Sequence, residues 1–143
     1  MSRDIKYKAW HKTAKKMYQV KGWLQVDRGP RDLLVYGEDD YGVTERIAND
    51  LTELELREYT GRKDKHGVEI YEGDLIHRPD IGIAMLVRWN EKNAGFDLAM
   101  KDPKNFDAVT LWYTQASHTD YEVIGNVYEH PELFQKAEKR NDV

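Results

Sequence analysis

The sequence predicts a mainly β protein, a coiled antiparallel sheet carrying one or two short helices. Three observations carry that prediction. Apolar and polar residues alternate over short runs such as Ile5–Ala9, Val68–Tyr71 and Phe96–Met100, the period-two mark of a strand with one buried face. Clusters rich in Gly, Asp, Asn and Pro separate these runs, among them Asp27-Arg28-Gly29-Pro30 and Asp64-Lys65-His66-Gly67, and such clusters are turn chemistry. Leu, Ile, Val and Phe make up only 31 of 143 residues, close to the roughly 20% at which chains become disordered. Aromatics at 11% and a net charge of only -4 nevertheless favour a folded core.

Taken in order, Ile5, Tyr7 and Ala9 alternate with Lys6, Lys8 and Trp10 in a first strand, and His11–Lys16 is a polar connector. Met17–Val20 and Trp23–Val26 read as returning strands, with Gly22 as a bulge or turn between them. Asp27–Asp32 is a loop and Leu33–Tyr36 a short strand. The acidic loop Gly37–Gly42 holds Glu38, Asp39 and Asp40 but lacks the alternating ligand spacing and distal glutamate of a calcium loop, so it reads as a solvated loop. Between residues 44 and 57, Ile47, Leu51 and Leu54 have helical spacing and Thr44 can cap, which predicts a short helix, although Leu54 and Leu56 also alternate like a strand.

The densest stretch is Tyr59–Ile76. Asp64-Lys65-His66-Gly67 is a tight turn, since the aspartate can accept an amide two residues on and Gly67 can adopt positive φ. Val68–Tyr71 is a short strand, Gly73-Asp74 breaks it, and Leu75–Arg78 begins another. Beyond a loop at Arg78–Gly82, Ile83–Trp89 is the most strand-like run of the chain. Asn90–Gly95 turns it into Phe96–Met100, and Lys101–Asn105 is a loop. Val109–Tyr113 is a further strand, and Glu122–Tyr128 closes the sheet. His130-Pro131-Glu132 starts a C-terminal helix, because proline is tolerated in a first helical turn and glutamate suits its positive end. Leu133, Phe134 and Ala137 supply its apolar face, and Lys136, Lys139 and Arg140 suit its C-terminal end. The strand order over 70–128 also fits a small SH3-like barrel, an analogy of pattern that carries no function.

The run Tyr-Thr-Gly-x-Lys-Asp-Lys-x-Gly-x-Glu-Ile-Tyr-Glu-Gly-Asp-Leu-Ile from Tyr59 to Ile76 resembles the signature of the YopX family of phage and prophage proteins. The opening Ile5–Trp10 with Lys16-Met17-Tyr18, and the close Tyr121–Leu133, are similar to that family's opening and closing motifs. The resemblance implies a small, β-rich, phage-encoded protein. It implies no activity and no catalytic residues. A length of 143 residues points to one domain, here a YopX-like domain over 1–143 read as an N-terminal β region with a short helix (1–58), a central barrel-like β region (59–129), and a C-terminal helix and tail (130–143).

Composition excludes several chemistries. Without cysteine there is no disulfide, thiolate metal site or cysteine nucleophile. No apolar run approaches a membrane span and the start is charged, so the expected location is the cytoplasm of the host cell, with no membrane partner. The histidines at 11, 66, 77, 118 and 130 show no zinc spacing, phosphate-cradling glycine loops are absent, and neither serine lies in a nucleophile elbow. No cofactor is expected.

The expected function is therefore binding of a host or phage protein, with a homo-oligomer also expected of exposed sheet edges. Its candidate surface is Tyr59, Lys63, Asp64, Glu69, Tyr71, Glu72 and Asp74. A second reading is nucleic-acid binding by the basic first third, where residues 1–31 carry +7 against -7 for 32–58. Lys6, Lys8, Lys12, Lys15 and Lys16 would neutralise phosphates, and Trp10 and Trp23, with Tyr18, would stack on bases. A third is a hydrolase using Glu69, Glu72, Asp74 and His77. Turn chemistry already accounts for Asp64, Gly67, Gly73 and Asp74, and lysine is common on solvated strand faces, so both alternatives rank below the first.

Overall fold

The computed structural model describes residues 5–25, 33–49, 51–77, 84–92, 94–99, 109–110 and 121–134. The sequence loops at 27–32, 78–82, 101–105 and 114–120 lie outside these residues, as do most of Val109–Tyr113 and the helix positions 136–140. Among the described residues the chain forms two compact units, one up to Glu58 and one from Tyr59 onward.

In the first unit, β1 (Tyr7–His11), β2 (Lys16–Gln25), β3 (Leu33–Glu38) and β4 (Thr44–Ala48) form an antiparallel meander. The first part of β5 (Leu54–Lys63) returns to the free edge of β1, giving the order β4-β3-β2-β1-β5. The register sets Ala9 opposite both Tyr18 and Leu56. Ala9, Val35, Ala48 and Leu54 form the buried centre, with Val20, Ile47 and Leu56 against it. A Cβ on Gly37 would lie 2.8 Å from Ile47 Cδ1 and 2.9 Å from Tyr18 Cβ, so glycine lets β3 pass beneath the Tyr18 ring.

Two expectations are corrected here. Residues 17–25 belong to one strand rather than two, because the ladder with β3 passes through a bulge between Val20 and Gly22, one of the two readings of Gly22, and continues to Gln25. Where a short helix is expected within 44–57, no α-helix forms among the described residues. Thr44–Ala48 pairs with β3, a single 3-10 turn covers Leu51–Glu53, and β5 starts at Leu54. The Glu53 carboxylate accepts the Asn49 amide at 2.9 Å. Ladder hydrogen bonds and burial of Ala48 and Leu54 outweigh a helical spacing of three apolar residues.

In the second unit, the end of β5 pairs with β6 (Glu69–Tyr71). Then β7 (Asp74–His77), β8 (Met85–Asn90), β9 (Gly95–Ala99) and β10 (Val109–Thr110) form another antiparallel meander. β11 (Glu122–Asn126) returns to β7, giving β10-β9-β8-β7-β11. The sheet is open among the described residues, so it is a coiled antiparallel sheet rather than a closed barrel. Ile70, Ile76, Met85, Val87, Phe96, Leu98 and Tyr121 pack together as its core, each large side chain contributing about 1.5–3 kcal/mol on burial. The sheet also encloses Asp97 completely. Arg88, its cross-strand partner, donates from Nε at 2.8 Å, and Asn90 donates from Nδ2 at 2.8 Å. Those charge-assisted bonds offset the desolvation of a carboxylate. A helical turn at 131–134 follows β11, where the sequence places a helix start.

Candidate functional site

The hairpin between β5 and β6 is built on Asp64. The Gly67 amide donates to the Asp64 carbonyl at 3.0 Å, and Gly67 sits at φ 81°, as the turn requires. Asp64 Oδ1 accepts the amides of His66 at 2.8 Å and Val68 at 2.9 Å. Its Oδ2 accepts the Val123 amide of β11 at 3.0 Å, a residue 59 positions away. Beside it the Lys65 amide donates to the Tyr121 carbonyl at 3.0 Å. Burial by itself would raise the Asp64 carboxyl. The amides of Val123, Val68 and His66, with the His66 charge, outweigh burial and hold it below its ordinary value.

The Gly73-Asp74 pair does similar work between β6 and β7. Gly73, at φ 88°, donates to the Val87 carbonyl at 2.7 Å and accepts the Val127 amide at 3.0 Å. Asp74 Oδ2 accepts the Tyr71 amide at 2.8 Å. Tyr59 and Tyr71 face each other across β5 and β6, with ring centroids 5.4 Å apart, and both are buried. Of the seven candidate surface residues, Tyr59, Asp64, Tyr71 and Asp74 thus lie inside; Lys63 is exposed, and Glu69 and Glu72 are half-buried. In the hydrolase grouping, Asp74 accepts an amide, Glu69 Oε1 accepts the Tyr71 hydroxyl at 3.4 Å, and His77 lies 3.7 Å from the Glu122 carboxylate.

The closing motif is organised around Asn126. Its Oδ1 accepts the amides of Tyr128 at 3.0 Å and Glu129 at 2.8 Å, while its carbonyl accepts the His130 amide at 2.8 Å. His130 Nδ1 accepts the Asn126 amide at 3.3 Å. A Cβ on Gly125 would lie 2.7 Å from that same Nδ1 and 3.1 Å from Leu133 Cδ1, so only glycine admits the helical turn this close.

One cluster escaped the sequence. Glu122 lies opposite His77 in the β7–β11 ladder. Its carboxylate is 3.5 Å from Lys65 Nζ, 3.8 Å from His66 Nε2 and 3.7 Å from His77 Nε2. Histidines 11 residues apart in the chain meet on one glutamate only because a returning strand brings it there. Among the described residues no group of three His, Asp or Glu side chains is arranged to hold a metal ion.

In the first unit the basic residues are divided. Lys12 pairs with Glu55 at 3.4 Å and Lys21 with Glu38 at 3.4 Å, so basic and acidic segments partly neutralise each other. Lys8 and Trp10 lie on the sheet face opposite Ala9, and Lys6, Lys8 and Trp10 each already make a contact within the fold. Trp23 instead stacks on Tyr7, at 5.6 Å between centroids, on the Ala9 face, and Tyr18 is buried there. Trp10 and Trp23 therefore lie on opposite faces of the sheet. Lys15 and Lys16 are exposed at the β1–β2 turn.

A sequence model of the YopX protein family matches residues 6–135. The chain belongs to the YopX family. Two solved structures share its fold. Protein EF1440 from Enterococcus faecalis is 24% identical with a TM-score of 0.60, over 93% of this chain and 99% of that one. Protein yopX from Bacillus subtilis is 20% identical with a TM-score of 0.55, over 90% and 96%. No curated protein matches the chain. No helix among the described residues is long and apolar enough to cross a membrane. In the YopX-like segments Tyr59–Ile76 and Tyr121–Leu133, Asp64, Asp74 and Asn126 accept backbone amides and Gly125 allows close packing, so these residues specify where strands go.

Proposed function

We propose that this YopX-family chain is a phage or prophage accessory protein that acts in the host cytoplasm by binding another protein, of host or phage, without catalysing a reaction. The supporting observation is the use of the signature carboxylates. Asp64 accepts three backbone amides and Asp74 one, so the acids most prominent in the sequence are committed to the framework. The Asp64 carboxylate has a lowered basicity, which suits a strut better than a general base.

The contact surface in this reading is the Tyr7–Trp23 pair, with Trp23 47% exposed. A half-exposed tryptophan steadied by a neighbouring ring is the kind of rigid anchor that dominates protein interfaces. The test is a tagged capture from lysogenic or phage-infected cells, with and without nuclease, comparing the natural chain with Trp23→Ala. A protein retained after nuclease and lost with Trp23→Ala supports the proposal. Recovery that collapses with nuclease points to nucleic acid, and hydrolytic activity abolished by Glu72→Gln points to an enzyme; either result overturns it.

A further inference from the structure

The strand order of the first unit puts two oppositely charged turns at one end of one sheet. β1, β2, β3 and β4 run alternately up and down, so the β1–β2 turn and the β3–β4 turn both stand at the end marked by His11↔Lys16 and Glu38↔Thr44. They are two strands apart, roughly 10 Å at the usual spacing. The first turn presents Lys15 and Lys16, both exposed, and the second presents Asp40 and, at the start of β4, Glu45, both exposed. Asp39, just before Asp40, holds the turn by accepting the amides of Tyr41 and Val43, each at 2.9 Å. Lys12 and Lys21 have glutamate partners within the unit; Lys15, Lys16, Asp40 and Glu45 have none among the described residues. Tyr41, 92% exposed, stands at the acidic tip.

An end with a positive turn on one side and a negative turn on the other is complementary to itself under a two-fold rotation. Turned about an axis perpendicular to the sheet, a second copy sets its acidic turn against the basic turn of the first and its basic turn against the acidic one. Both contacts form together, as closed two-fold assemblies require. Tyr41 of each copy then faces the lysines of the other, where an ammonium over a ring adds a cation–π attraction. Side-by-side pairing through β4 is disfavoured by comparison. It is the edge strand of this sheet, but a two-fold ladder centred on Glu45 or Arg46 opposes two like charges.

We infer that this charged end is a self-association surface, and that two copies of the chain join end to end through Lys15 and Lys16 of one and Asp40 and Glu45 of the other. Exposed ion pairs are individually weak and screened by salt. The dimer therefore forms reversibly and depends on ionic strength.

The test is sedimentation velocity on the full chain at about 0.02 M and about 0.5 M salt, on either side of the ionic strength where the Debye length is ~10 Å. The natural chain is expected to dimerise at low salt, with a Kd at least about tenfold weaker at high salt. Asp40→Lys/Glu45→Lys makes both turns basic, and Lys15→Glu/Lys16→Glu makes both acidic, so each variant alone is expected to be monomeric. An equimolar mixture is expected to form a one-to-one heterodimer, because every contact is again between opposite charges. Its recovery shows at the same time that both variants are folded. If either reversal unfolds the chain, Asp40→Asn and Lys16→Gln replace them, each expected to weaken the low-salt dimer severalfold. A monomeric natural chain at low salt, a dimer indifferent to all substitutions, or folded variants whose mixture stays monomeric would each overturn the inference.

Discussion

The two units share one strand order, a four-stranded meander whose fifth strand returns beside the first, yet they are fastened differently. In the first, β5 is set against β1 by an unbroken five-residue ladder from Tyr7↔Glu58 to His11↔Leu54, and the buried centre is small and aliphatic. In the second, the β7–β11 ladder shifts register between Val123 and Gly125 and leans on side chains for its placement. Asp64 holds the Val123 amide, Gly73 holds Val127, and Gly125 accommodates His130. The difference teaches where a recognisable motif comes from. A regular ladder can be specified by alternation alone, which many sequences satisfy. A bulged strand needs particular acceptors and particular glycines, and those leave a signature.

Substitutions can break this contrast, and the largest effect is expected at the latch. Asp64→Ala removes an acceptor from three amides and should destabilise the chain by about 3 kcal/mol, given ~1.5–3 for a hydrogen bond to a charged group and some rehydration of exposed donors. Amide hydrogen exchange checks it: protection in β6, β7 and β11 should fall while β1 to β4 keep theirs. Equal loss in both units would end the idea that the Asp64 latch fastens the second sheet alone. Gly125→Ala should follow at about 2 kcal/mol, because its methyl group meets an imidazole and a leucine already packed. The first unit's counterpart, Gly37→Ala, should cost about 1–2 kcal/mol, with the Ile47 methyl able to yield and Tyr18 Cβ not. Gly67→Ala meets no atom within 4 Å, so only left-handed strain remains, about 1 kcal/mol by denaturant unfolding.

Acid sharpens the same comparison. The folded-state value of Asp64 is depressed, so its contribution is complete above the ordinary carboxylate pKa of about 3.9 and is lost as pH falls through the lower folded value. Stability measured from pH 7 downward should drop below about pH 4 in the natural chain, and Asp64→Asn should remove its share of that drop. An unchanged acid limb in Asp64→Asn would show that the carboxylate charge contributes nothing to the latch.

What the sequence discloses follows the reach of each interaction. The Asp64–Gly67 turn was legible because donor, acceptor and glycine lie within five residues, and so was the break at Gly73-Asp74. The bond from Asp64 to Val123 was hidden by its 59-residue span, and the meeting of His66 and His77 on Glu122 by the same return of β11. The tryptophans show a subtler limit. In an unbroken β2, Trp23 would share the face of Met17 and hence of Trp10. The extra residue between Val20 and Gly22 inverts the alternation and sends Trp23 to Tyr7. Gly22 marked the bulge in the sequence, but its consequence for parity appears only with the register. The helix expected at 44–57 was lost to the pairing of β4 with β3, a partner that local periodicity does not see.

The bond between Asp64 and Val123 also sets an order of assembly during synthesis. All of the first unit, including the β5 residues that pair with β1, has emerged once Glu58 clears the ribosome, so this five-stranded part of the sheet can form while the rest of the chain is still being made. The second cannot close until β11 arrives more than sixty residues later, and until then β7 presents a bare edge and an apolar face containing Ile76. A pause in translation between those two points would hold the nascent chain in its most aggregation-prone form. Chaperone demand should therefore concentrate in that interval.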